Sequence, residues 1–81
     1  MNNEIVINRL KRVGDRRYPD KAYKIIEYKN YYSIVANGYE PSLFEKENGF
    51  PIRMNYGQLK DSDIKNPKVI YESGGYKNGK K

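Results

Sequence analysis

Between Tyr23 and Ala36 apolar and polar residues alternate with a period of two, reading Tyr-Lys-Ile-Ile-Glu-Tyr, then Lys29-Asn30, then Tyr-Tyr-Ser-Ile-Val-Ala. Successive side chains of a strand point to opposite faces, so this alternation predicts a β-hairpin. With Lys29 and Asn30 as a two-residue turn, Tyr28 faces Tyr31, Glu27 faces Tyr32, Ile26 faces Ser33, Ile25 faces Ile34 and Tyr23 faces Ala36. One face collects Tyr23, Ile25, Tyr32, Ile34 and Ala36, with Glu27 as its only polar member. The other carries Lys24, Ile26, Tyr28, Tyr31, Ser33 and Val35, a mixture suited to a half-exposed surface.

The flanking patterns are shorter. Residues 3–13 satisfy two periods: Ile5-Val6-Ile7 is β-branched, whereas Val6, Leu10 and Val13 ahead of Gly14 would suit a short helix. β-Branching favours a strand here. Residues 14–21, with Gly14, Pro19 and Asp20, read as a basic loop. Asn37-Gly38 marks a turn that residues 39–42 extend. Residues 43–46 and 50–54 flank Glu47-Asn48-Gly49 as a second hairpin, with Pro51 confining the return strand to an edge. Residues 56–59 predict a single turn that drops Leu59 into the core, residues 61–67 a polar connection, and residues 69–71 a last strand. Five short strands joined by tight turns predict a mainly β fold, a small five-stranded barrel over residues 1–72, with residues 73–81 as a flexible basic tail.

Composition sharpens this picture in two ways. With 81 residues, 37% hydrophobic, there is material for one modest core, and the nine tyrosines must supply much of its area. The net charge of +6 is also unevenly placed. Residues 9–29 hold eight basic residues against three acidic, and residues 60–81 hold six lysines against three acidic. That distribution points to a nucleic acid or an acidic protein surface as partner.

The order of these patterns resembles the small SH3-like barrel proteins of phages and mobile elements of Gram-positive bacteria. The likeness spans residues 6–59: an apolar first segment and basic loop, Lys21-Ala-Tyr-Lys-Ile-Ile-Glu27, Tyr31-Tyr-Ser-Ile-Val35, Asn48-Gly49, and Tyr56-Gly-Gln-Leu59. The chain departs from that pattern in residues 39–42 and in its long basic tail. The resemblance implies a five-stranded barrel with Leu59 packed inside; such barrels host many functions, so it bears chiefly on fold.

The chemistry of the side chains narrows the function classes. There is no histidine and no cysteine, which removes the commonest general base, the best nucleophile, disulfides and cysteine zinc sites. The carboxylate pairs Asp61/Asp63 and Glu45/Glu47 lie in polar turns, where they are expected to be solvated. No phosphate-loop, dinucleotide or calcium-loop spacing accompanies the glycines. The chain is therefore expected to be a non-enzymatic protein without metal or cofactor. Lack of cysteine and of an apolar run of about 20 residues suggests a cytoplasmic location without a membrane partner.

The candidate interface comprises Arg9, Lys11, Arg12, Arg16, Arg17, Lys21 and Lys24, with Tyr18, Tyr28 and Tyr31 beside them as rings for stacking on unpaired bases. The expected function is a small basic module that contacts nucleic acid through its Arg/Lys-rich N-terminal strand and loop. The alternative is a phage or mobile-element protein of the anti-CRISPR kind, which binds and inhibits a host complex such as a nucleic-acid-targeting nuclease. No small-molecule substrate is indicated.

Overall fold

In the computed structural model, residues 3–54 and 56–74 are described, Tyr56 for its backbone alone. One helix, α1 (Asn3–Arg17), precedes four strands, β1 (Tyr23–Glu27), β2 (Tyr31–Ala36), β3 (Ser42–Glu45) and β4 (Lys68–Glu72). The strands form one antiparallel sheet in the order β3-β2-β1-β4, which is open and not the closed five-stranded barrel expected. The described residues hold comparable amounts of helix and strand.

The central hairpin has the register its alternation requires: Tyr23 pairs with Ala36, Ile25 with Ile34, Ile26 with Ser33 and Glu27 with Tyr32. The amide of Tyr28 donates to the carbonyl of Tyr31 at 2.8 Å, closing the Lys29-Asn30 turn. Register is well specified here because a slip of one residue would turn Ile25, Tyr32 and Ile34 to the wrong face.

The first segment is a helix and not a strand. As a strand, residues 5–11 would put Arg9 and Lys11 in line with Ile5 and Ile7, mixing charge into the apolar face. As a helix, the chain stacks Val6, Leu10 and Gly14 on one buried stripe, and that segregation outweighs the β-branching of Ile5-Val6-Ile7. Glu4 in the first turn and Arg16 and Arg17 in the last complement the helix dipole. Residues 14–17, expected in a loop, continue the helix, and Tyr18 still donates its amide to the carbonyl of Gly14 at 2.8 Å. Pro19, which has no N–H to donate, follows directly.

Val6 and Leu10 lie on the sheet face formed by Tyr23, Ile25, Tyr32, Ile34, Ala36 and Phe44, and together these make the core. At Ile70 a bulge adds one residue to β4, so that Ile25 pairs with Tyr71 and Ile26 with Val69. Ile70 and Tyr71 both pack against the core as a result. Tyrosines extend the core as a chain of ring contacts, Tyr71 to Tyr23 at 5.8 Å, Tyr23 to Tyr18 at 6.2 Å and Tyr18 to Tyr39 at 5.1 Å.

The second hairpin is reduced. Phe44 forms a single bridge with Pro51, and Ile52 donates to the carbonyl of Leu43 at 2.9 Å, but no return strand develops. Proline at the bridge cannot donate to a ladder. Two 3₁₀ turns, Tyr56–Gln58 and Asp61–Ile64, lead to β4. Leu59 is half-buried and lies outside the core, contrary to the role expected for it. From residue 75 onward the expected basic tail lies outside the described residues.

Candidate cationic interface

Helix formation reorganises the basic residues of the N-terminal segment. At helical spacing the buried stripe of Val6, Leu10 and Gly14 is opposed by Ile5, Asn8, Arg12, Asp15 and Arg16, all of them exposed. Arg12 and Arg16 stand one turn apart at the centre of this outward face. Neither side chain makes a hydrogen bond or ion pair with another described residue. Asp15, between them in sequence, accepts a 2.7 Å hydrogen bond at Oδ1 from the Tyr23 hydroxyl, which ties it to the sheet.

The other basic residues of the segment lie over aromatic rings. Arg9 places its guanidinium carbon 5.0 Å from the ring centre of Phe50. Lys11 Nζ lies 4.5 Å from the Tyr71 ring, Arg17 5.7 Å from Phe44 and Lys21 5.6 Å from Tyr39. Arg17 also donates from Nη1 to the Ser42 hydroxyl at 2.8 Å. Arg17 and Lys11 thereby meet rings in or beside the core, and Arg9 and Lys21 meet the exposed rings of Phe50 and Tyr39. They are therefore part of the packing as well as of the charge.

The expected stacking rings are not displayed. Tyr18 and Tyr28 are each only 7% exposed, and Tyr31 is half-buried opposite Glu45. Lys24 is exposed on the far face of β1, in register with Glu72. The structure instead exposes two rings that were not among the candidates, Phe50 at 50% and Tyr39 at 54%. Each directly follows an Asn-Gly pair, and Gly38 and Gly49 take the positive φ values such turns require. An aromatic residue leaving a tight turn sits at a loop tip, and that signal was available in the sequence.

Two tyrosines are perturbed by their surroundings. Tyr23 is held well above the ordinary phenol range, chiefly by burial and then by its hydrogen bond to Asp15. Tyr32 is raised by burial and by the nearby carboxylate of Glu27. Both are core residues, and burial favours the neutral phenol in each. Among the described residues no group of three or more acidic side chains is placed to hold a metal ion, and no helix is long and apolar enough to cross a membrane.

Comparison of the chain with protein-family models, with curated proteins and with solved structures gives no match.

Proposed function

We propose that this chain is a small non-enzymatic binding module that contacts nucleic acid through the outward face of α1. Arg12 and Arg16 supply the phosphate contacts, and Arg9 with the Phe50 ring forms a stacking edge at the flank. The observation that carries this reading is the exposure of Arg12 and Arg16 one turn apart without a described partner, while Arg9, Lys11, Arg17 and Lys21 lie over rings. Arginine's planar fork suits phosphate oxygens, and an exposed ring beside a cation suits an unpaired base.

Fluorescence anisotropy with labelled single- and double-stranded oligonucleotides across a salt titration tests it. Binding should weaken steeply with salt, and replacing both Arg12 and Arg16 by alanine should lower the log–log salt slope by about 1.4 to 1.8. Far-UV circular dichroism of that variant should be unchanged, because neither side chain packs. Wild-type binding that ignores salt, or a variant that binds as well as wild type, would count decisively against this face.

An acidic protein surface is the second reading, favoured by Ile5, which is 55% exposed and one helical turn from Arg9. Apolar side chains beside arginine are the chemistry of interface anchors. On this reading the protein inhibits a host complex that handles nucleic acid, and it would show no affinity for free oligonucleotides even at low salt.

A further inference from the structure

A second concentration of positive charge lies at the end of the sheet where β1 turns into β2 and where β4 begins. There a cleft of about 440 Å³ is lined by Glu27, Tyr28, Lys29, Lys46, Lys65, Asn66 and Lys68. Its basic residues come from the β1–β2 turn, the segment after β3, and the approach to β4, so the chain must fold to bring them together.

The cleft is preformed. Lys46 Nζ donates to Glu27 Oε2 at 2.8 Å and to the carbonyls of Tyr28 at 3.0 Å and Lys29 at 3.4 Å, which uses all three of its protons. Lys46 thereby neutralises Glu27 and fixes the floor. Asn30 Nδ2 donates to Asp63 Oδ1 at 2.8 Å, and its amide donates to the Asp63 carbonyl at 3.2 Å, pinning the second 3₁₀ turn against the hairpin turn. Asn66 in the lining has φ of 53°, the only positive value among described residues other than glycine. It precedes Pro67, a position that is ordinarily extended, so the surrounding structure holds it in this conformation.

Once Lys46 and Glu27 are paired, Lys29, Lys65 and Lys68 remain. All three are exposed, and none of their ammonium groups makes a hydrogen bond or ion pair with a described residue. Three ammonium groups around a cleft walled by lysine stems and Tyr28 match the charge of a diphosphate, which carries about three negative charges at neutral pH, and the cleft has room for it. We infer that this cleft is a binding site for a diphosphate group, separate from the outward face of α1. The group belongs either to a free nucleotide or to the 5′ end of a nucleic-acid strand, which share this chemistry.

Inorganic pyrophosphate titrated into the ¹⁵N-labelled full chain provides the test. Amide shifts should concentrate at residues 27–30 and at Lys65, Asn66 and Lys68, Pro67 having no amide proton, and should saturate. Replacing both Lys65 and Lys68 by glutamine should weaken binding by about tenfold or more, while Lys24→Gln, at the far end of β1, should change it by less than about twofold. The amide spectrum away from the cleft reports whether each variant is folded, and Lys29→Gln provides a third reading on the opposite wall. Sulfate binding as tightly as pyrophosphate would mean an adventitious ion only and would overturn the inference. So would shifts elsewhere, or full binding by the lysine variants. Given pyrophosphate binding, ADP and an RNA oligonucleotide with a 5′-diphosphate distinguish the two sources. Because Arg12 and Arg16 are untouched throughout, failure here leaves the proposed helix interface standing, and the reverse also holds.

Discussion

Tyr23 joins helix, sheet and charge in one side chain. Its ring is buried, and its hydroxyl donates within reach of the Lys11 carbonyl at 3.1 Å and Asp15 Oδ1 at 2.7 Å, both on α1. Because burial and Asp15 disfavour the phenolate, Tyr23 stays protonated in the fold at pH values where an unfolded tyrosine, near about 10, ionises. The contribution is complete below that value and is lost as the pH rises above it toward the folded-state value. Tyr32 acts in the same direction. Urea midpoints followed by circular dichroism should therefore be flat near neutrality and fall beyond about pH 10. Tyr23→Phe should cost about 0.5 to 1.5 kcal/mol at pH 7 and make the alkaline fall shallower. An equally steep fall in the variant would place the sensitivity in other groups. Ser33 is a contrasting residue: it is fully buried on β2, and its hydroxyl finds no hydrogen-bond partner among the described residues, an uncommon arrangement in a packed interior.

At the scale of elements, α1 lies close against the sheet at Gly14. A Cβ there would come within 3.0 Å of three atoms of the Tyr23 ring. In an open helix, alanine would be better than glycine by about 1 kcal/mol. Here the ring is pinned by hydrogen bonds and by Tyr18 and Tyr71, so overpacking should prevail. Gly14→Ala is expected to destabilise the protein by about 1 to 3 kcal/mol in urea denaturation, and a stabilised variant would mean that Tyr23 can move aside. Gly14 in the sequence suggested the end of a helix or the start of a loop, because a glycine's spacing does not disclose what packs against it. The β4 edge of the sheet is treated differently. β4 presents Lys68 at its start and a bulge at Ile70, two features that discourage pairing with another chain.

The molecule as a whole has one hydrophobic core shared by helix and sheet. Ile34 is fully buried on β2 within it. Ile34→Ala should cost about 2 to 5 kcal/mol, and helix and sheet should be lost together. Coincident far-UV and tyrosine near-UV transitions check this, whereas a helix melting separately would show that the core is divided. Charge is distributed over this core with two outcomes. Some cations cover ring margins, and others, on α1 and around the lysine cleft, face outward with no described partner.

The sequence by itself determined the central hairpin with its turn and register, the last strand, and the excess of positive charge. These follow from local rules, the two-residue period of a strand and the chemistry of short turns, and both act between residues close in the chain. Only the tertiary structure decided that residues 3–17 form a helix, because Ile5-Val6-Ile7 and the Val6, Leu10, Gly14 stripe favour different periods and the sheet face available for burial breaks the tie. It also decided which cations are spent on packing and which are displayed, and it assembled Lys29, Lys46, Lys65 and Lys68 around one cleft from positions up to 39 residues apart. Such groupings depend on where distant segments meet, and no periodicity along the chain encodes that.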